Sequence, residues 1–407
     1  MRGWWWALII LCCGVGIGLL GSGYSDRLEA PVAAFAGKVE NHLPDPIYVA
    51  LNGAPAEPLP VGRMLAAGMG LEHTYRDIWL EATFPEGRYE GAARYARVCP
   101  PAAKRDDCDF SSLTAALAAA ADGDTLVMSP GVYEEAAVIR QNALRIIAEP
   151  GAHMRGKAAA GKGALIITGN GTTIEGLECS DIHVSDRNGA CIRLEGRDLT
   201  LRGVNFHDSE EGVLSSSNTG HVSIEDSMFN RLGQSGQAHG IYIGGGANSA
   251  LTVRRSHFLN TRSEGHAIKS RAAVNTIVGN VIASLNEVDS RAIDLPNGGR
   301  NVITGNIIEE APNSSNWDAI GIGLELGKAP NDPDANSTLV EDNIFIVDRS
   351  SSDLVNTRNV PAPKVVSNIV VGGPANPLGE GNHYFRSREL AGLPPFPRLL
   401  ADGGADR

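Results

Sequence analysis

One short pattern returns eight times between residues 173 and 368: two or three strand-forming residues, a polar residue, then a small residue or Asn. The copies are Thr173-Ile-Glu-Gly-Leu177, Thr200-Leu-Arg-Gly-Val204, Ser223-Ile-Glu-Asp-Ser227, Thr252-Val-Arg-Arg-Ser256, Thr276-Ile-Val-Gly-Asn280, Val302-Ile-Thr-Gly-Asn306, Leu339-Val-Glu-Asp-Asn343 and Lys364-Val-Val-Ser-Asn368. Counted from Ile174, the offsets are 27, 23, 29, 24, 26, 37 and 25 residues. Such a unit cannot bury its apolar side alone and must stack on its neighbours. A coil of three short strands and three turns needs about this length, and the longer offsets mean loops inserted at turns. The expected fold is an all-β, right-handed parallel β-helix, a solenoid; an antiparallel β-sandwich does not repeat at this spacing. The residue after each strand recurs in register, so Asn280, Asn306, Asn343 and Asn368 should stack inside the coil, each amide bonding the next.

Composition agrees. Gly accounts for 48 of 407 residues, against roughly 7% in average proteins, and 43% of the chain is hydrophobic with only 5% aromatic. That describes tight turns between short strands rather than a disordered chain. The 35 basic and 47 acidic residues give a net charge of −12 without a basic block, which argues against a nucleic-acid partner.

The N-terminus reads Met1-Arg2-Gly3 and then an apolar run from Trp4 to Leu20. Its length lies between a signal-peptide core and a minimal membrane span. Residues 1–24 are therefore expected to be a signal peptide or membrane anchor, and the body of the chain to be exported: periplasmic, anchored to the inner membrane or extracellular. Residues 25–108 read as an Ala-, Pro- and Gly-rich spacer, 109–372 as the solenoid and 373–407 as a C-terminal tail. Within the solenoid, Asp109 to Asp124 reads as a short capped helix ended by Gly123, followed by a strand and turn at Thr125–Tyr133. Four cysteines lie outside the apolar run, an even number that permits disulfides in an oxidising compartment. Cys99 and Cys108 are the expected pair; Cys179 and Cys191 are expected as buried thiols. No metal site is expected, because neither C-x-x-C nor a nearby His pair is present.

A second strand set lies between the repeats: His239-Gly-Ile-Tyr-Ile243, His266-Ala-Ile-Lys-Ser270, Arg291-Ala-Ile-Asp-Leu295 and Ile320-Gly-Ile-Gly-Leu-Glu325. Strand alternation turns Ile241, Ile268 and Ile293 to the core and Tyr242, Lys269 and Asp294 outward. With coils about 4.8 Å apart, those three residues form one exposed column, and His239, His266 and Arg291 a second. Arg271 shares the face of Lys269, Glu325 lies beyond Asp294, and Asn297 belongs to a turn that shapes the cleft. The expected result is a local cationic patch suited to an acidic polysaccharide. A plainer reading makes Asp294 the ion-pair partner of Lys269 or Arg291.

This set suits β-elimination on a uronate-containing polysaccharide. A base removes the proton α to the carboxylate, cations stabilise the anion formed, and an acid protonates the leaving oxygen. Lys269 is the candidate base, Arg271 or Arg291 would neutralise the carboxylate, and His266, His239 or Tyr242 would donate the proton. Asp294, Asn297 and Glu325 would contact substrate. The same machinery with reprotonation on the opposite face is a C5-epimerase. A glycosidase requires paired carboxylates, and no such pair is read on this face. The reading from a different class is a non-catalytic glycan-binding or envelope-scaffold protein.

The helix followed by Gly123-Asp-Thr-Leu-Val-Met-Ser-Pro-Gly-Val-Tyr133 resembles the N-terminal cap and first coil of right-handed parallel β-helix proteins. Gly265-His-Ala-Ile-Lys-Ser270 resembles the chondroitinase-B and alginate lyase group of β-helix polysaccharide lyases. That resemblance implies a Lys base, here Lys269, an Arg acid on the next coil, and a calcium ion that helps to neutralise the substrate carboxylate. The family's Arg follows the strand, where this chain has Pro296-Asn297; Arg291 lies at the strand's other end. The D-P-H-D pattern of alginate epimerases is absent.

Overall fold

The computed structural model describes residues 94–101, 107–326, 335–349, 352–374, 378–379 and 381–399. The expected signal or anchor segment and residues 25–93 of the spacer lie outside them.

The repeats coil as the periodicity predicts. Ile174, Leu201, Ile224, Val253, Ile277, Ile303, Val340 and Val365 pair in parallel register from coil to coil. Those from Ile174 to Val340 are fully buried. A second face carries the strands that contain Ile241, Ile268 and Ile293. It shares an 18-stranded sheet with the first face, because the strands Ile241–Arg254 and Ile268–Val278 bend through both. A third, 11-stranded face closes the coil. Its inward side stacks Phe206 on Phe229 edge-on at 5.7 Å, and Phe229 on Phe258 face-to-face at 4.6 Å.

The amide ladder forms at the turn after the repeat strand. Asn280 Nδ2 donates to Asn306 Oδ1 at 2.9 Å, Asn306 to Asn343 at 2.9 Å, and Asn343 to Asn368 at 3.0 Å. Each Oδ1 also accepts the backbone N–H of the preceding rung. Polar groups that would otherwise be buried without partners are thus paired.

The N-terminal end is covered by helix α1, Leu113–Ala119, capped by Ser112, whose hydroxyl accepts from the Ala115 N–H at 3.1 Å. Among the described residues no helix is long and apolar enough to cross a membrane. Both expected borders move outward. The strand Tyr95–Val98, inside the expected spacer, pairs in parallel with Thr125–Met128. The strand His383–Phe385, inside the expected tail, adds a rung to the third face, and Asn382 extends the amide ladder. Cys99 and Cys108 are joined by a disulfide, and so are Cys179 and Cys191, with Cα atoms 5.9 Å apart in each pair. The expectation of two thiols at Cys179 and Cys191 is therefore corrected: one comes from the strand Glu178–Ser180 of the third face, the other from Ala190–Leu194 of the 18-stranded sheet, and both are buried in the core, where they meet.

Candidate functional site

The second face aligns the groups that the sequence singles out. Tyr242 pairs with Lys269, and Lys269 with Asp294, while Ile241, Ile268 and Ile293 beside them are fully buried. The next position in the column is Gly321. A Cβ there would stand 2.7 Å from Arg291 Nε, so glycine leaves the space that the arginine occupies.

Arg271 organises the outer part of the site. Its Nε donates to Tyr242 Oη at 2.8 Å and its Nη1 to Asn297 Oδ1 at 2.7 Å, while Nη2 pairs with Glu325 Oε2. Glu325 Oε1 lies 3.4 Å from Lys269 Nζ. Lys269 and Arg271 thus form a fork that grips one carboxylate, one oxygen each. Burial pushes the Glu325 carboxyl up, but the hydrogen bond from Arg271 and the charges of Lys269 and Arg271 outweigh it, and the net shift is downward. Asn297, expected at substrate, instead holds the arginine.

The inner part is acidic and buried. Asp294, expected on the exposed column, is only 2% exposed. Its Oδ2 lies 3.2 Å from Lys269 Nζ and its Oδ1 3.5 Å from Arg291 Nη1, so the plainer reading of Asp294 as an ion-pair partner describes the geometry. Burial raises its carboxyl above the usual range against the opposing pull of Lys269 and Arg291. Arg291 is anchored to Asp318 Oδ2 at 2.6 Å and Asn316 Oδ1 at 3.2 Å.

Two expectations need correction. His239 and His266 do not form an outward column. They are buried, with rings stacked at 5.0 Å. His239 Nδ1 accepts the His266 N–H and His266 Nδ1 accepts the Arg291 N–H, each at 3.0 Å. Burial, with Lys269 and Arg271 nearby, pushes His239 down to about 3; burial also holds His266 well below its ordinary value. Each Nδ1 accepts a backbone N–H and so carries no proton, which leaves no imidazolium in this geometry; His266 Nε2 lies 3.5 Å from Asp294 Oδ2, and the His239 ring meets Tyr242 edge-on at 5.5 Å. They lie in the turns that lead into the strands Ile241–Arg254 and Ile268–Val278, where strand alternation does not set which side a residue faces. Second, the cationic patch is neutralised, because Lys269, Arg271 and Arg291 face Asp294, Glu325 and Asp318. The carboxylate pair that the sequence reading lacks is also present: Asp294 and Glu325 both lie within 3.4 Å of Lys269 Nζ.

The same pairing bears on calcium. That ion takes six to eight oxygen ligands, whereas each carboxylate here already faces a lysine or arginine nitrogen. These residues do not fit a calcium ion, and no step is assigned to one.

Sequence reasoning missed Trp317. The residue is 60% exposed, it precedes the Asp318 that anchors Arg291, and the Arg349 guanidinium lies 4.8 Å from its ring centroid. A lone exposed tryptophan beside an ion-pair cluster is the feature that marks it. A cleft of about 480 Å³ lined by Val347, Asp348, Arg349 and Arg386–Arg388 shares none of the expected site residues.

Residues 133–282 match the family model described as the right handed beta helix region. The fold is a right-handed parallel β-helix. No curated protein matches it. Among solved structures, this β-helix is similar to the alginate lyase from Paenibacillus sp. str. FPU-7, at 17% identity over 73% of this chain and 97% of that one, with a TM-score of 0.44. It is similar to pectate lyase Pel9A at 13% identity over 67% and 79% of the two chains, TM-score 0.38. It is also similar to the Dettilon tailspike protein gp208 at 14% over 70% and 66%, TM-score 0.40. These likenesses concern the solenoid and assign no residue a role.

Proposed function

We propose that this β-helix protein acts on an acidic, uronate-containing polysaccharide at the Tyr242–Lys269–Arg271 face, by β-elimination. The observation that carries the reading is the fork of Lys269 and Arg271 around the Glu325 carboxylate. A sugar carboxylate offers the same two oxygens and would take the place of Glu325, whose side chain is about half exposed. Trp317 offers a flat apolar face for a sugar ring.

In the elimination, Lys269 releases one proton to solvent as the substrate displaces Glu325, and the free amine then accepts the proton α to the carboxylate. The electrons of that C–H bond pass into the carboxylate as an anion that Arg271 stabilises. They return to form the carbon–carbon double bond as the glycosidic C–O bond breaks, and the leaving oxygen takes the Tyr242 phenolic proton. Proton return from Lys269 to the tyrosine through water resets the site. Protonation of the same anion on its opposite face would give epimerisation without cleavage.

A second reading, glycoside hydrolysis, is favoured by the Asp294–Glu325 pair. One carboxyl is raised and the other lowered, the division of labour between acid and base. Export is supported by the two disulfides, which suit an oxidising compartment.

The test is incubation of the full chain with alginate, chondroitin, dermatan and polygalacturonate. Elimination produces an unsaturated uronate absorbing near roughly 235 nm, a band of the double bond formed, and Lys269→Ala should abolish it. New reducing ends without that absorbance would establish hydrolysis. Deuterium entering from solvent without cleavage would establish epimerisation. Saturable binding without any product would leave a glycan-binding scaffold.

A further inference from the structure

We propose that His153, Glu178 and His207 form a divalent transition-metal site, of the zinc class, on the third face of the solenoid. It is independent of the reading at Lys269. The residues come from three successive coils: His153 from the strand Ala152–Arg155, Glu178 from Glu178–Ser180 and His207 from Asn205–His207. Parallel pairing sets His153 opposite Glu178 and Ser180 opposite His207. The sequence hides this set, because its members lie one coil apart and no adjacent His pair announces it.

The three ligand atoms all lie within 4.8 Å of one another. His207 Nε2 stands 3.2 Å and His153 Nδ1 3.8 Å from Glu178 Oε1. Metal–ligand bonds of about 2.0–2.1 Å in a tetrahedron place ligand atoms about 3.3–3.5 Å apart. The two separations to Glu178 straddle that range and the third lies within 4.8 Å, so side-chain rotations that draw the imidazoles together complete the site. Two imidazoles and one carboxylate are a donor set for zinc and its neighbours rather than for calcium. Side-chain exposures of 16%, 28% and 20% leave one side open to solvent for a fourth ligand.

The surrounding hydrogen bonds fix which ring nitrogens are free to coordinate. Ser180 Oγ gives its one proton to Asp181 Oδ2 at 2.9 Å, so it must accept from His153 Nε2, also at 2.9 Å. His207 Nδ1 lies 2.8 Å from Asp208 Oδ2, a carboxylate that can only accept. Both outer nitrogens therefore carry protons, and in neutral rings both inner nitrogens aim lone pairs toward the Glu178 carboxylate. Three electron-rich atoms facing one point repel unless a cation sits among them. A proton on His207 Nε2 relieves one edge and leaves His153 Nδ1 facing the carboxylate; a metal ion relieves all three. Orientation of a ligating imidazole by a carboxylate or hydroxyl on its far side is the arrangement that metal sites use.

The test is titration of the untagged full chain, stripped with EDTA and desalted, with cobalt(II) followed by visible absorption, then with zinc as competitor. We expect one cobalt per chain, displaced by zinc, and loss of that equivalent in His153→Ala and His207→Ala but not in His221→Ala. Asp208→Asn should weaken binding 10–100-fold. Circular dichroism checks the fold of each variant. Because His207 also holds Asp208, His153→Gln carries the test if His207→Ala does not fold. The proposal is overturned if no saturable equivalent forms, or if one persists unchanged in the His153 variants.

Discussion

Arg271 Nε donates to the phenolic oxygen of Tyr242 at 2.8 Å, tying two neighbouring coils together at the centre of the candidate site. The same guanidinium holds Asn297 and Glu325, so a single side chain sets both the proposed proton donor and the proposed carboxylate grip.

Arg271→Ala should therefore weaken binding of an oligouronate by about 10–100-fold, the loss of a charged hydrogen bond of about 1.5–3 kcal/mol. Calorimetric titration measures it. An unchanged affinity would remove the fork from the account.

Glu325 occupies the fork from within the chain, so its removal should act in the opposite direction. Glu325→Gln is expected to tighten oligouronate binding several-fold and to raise the salt needed to displace the ligand, whereas Arg271→Ala lowers it. Weaker binding by the variant would instead make Glu325 a substrate contact, as the sequence reading had it.

The buried histidines predict acid sensitivity. His239 in the folded chain is pushed down to about 3, mainly by burial, against about 6.5 when unfolded. The unfolded chain then binds more protons between those values, so stability present above about pH 6.5 is lost as pH falls toward 3. His239→Asn supplies another acceptor for the His266 N–H and should flatten the dependence of urea stability on pH by up to one proton in that window. A slope identical to the parent's would contradict the assignment.

Each rung of the amide ladder should be individually costly. Asn306→Ala leaves the Asn280 N–H and the Asn280 side-chain amide without their acceptor. The expected loss is about 1–3 kcal/mol for each buried group left unpaired, read as a lower urea midpoint. Asn306→Asp, which keeps the acceptor, should lose less of that pairing while adding a buried charge. Comparing the two separates hydrogen bonding from shape.

Gly321→Ala tests the packing of the column. Its Cβ would meet Arg291 Nε and Cδ at 2.7 and 2.8 Å, forcing the arginine away from Asp318 and Asp294. We expect loss of activity together with a lower melting temperature; a neutral outcome would show that Arg291 moves freely.

The solenoid was legible because a coil is a local object. Ile174 to Val365 repeat within one winding, and stacking follows from repetition alone. The same logic located the ladder of Asn280, Asn306, Asn343 and Asn368 and the alignment of Tyr242, Lys269 and Asp294. Burial was less legible. Whether Asp294 is open or covered depends on the arginine of its own strand and on a glutamate from the next coil, and Glu325 reaches Lys269 from 56 residues away. The histidines stand just before their strands, where alternation assigns no side. The Cys179–Cys191 pairing joins strands of two different sheets, and His153, Glu178 and His207 meet through the coil-to-coil register of the third face. None of these is periodic.

In the ladder every Asn presents the same two faces, a donor toward the following winding and an acceptor toward the preceding one. A graft or deletion that starts and ends at such an asparagine would leave matching surfaces at the seam, whereas one of half a winding would not. Whole windings are therefore the natural unit for lengthening or shortening this protein, and the stretch from Asn343 to Asn368 is the place to begin.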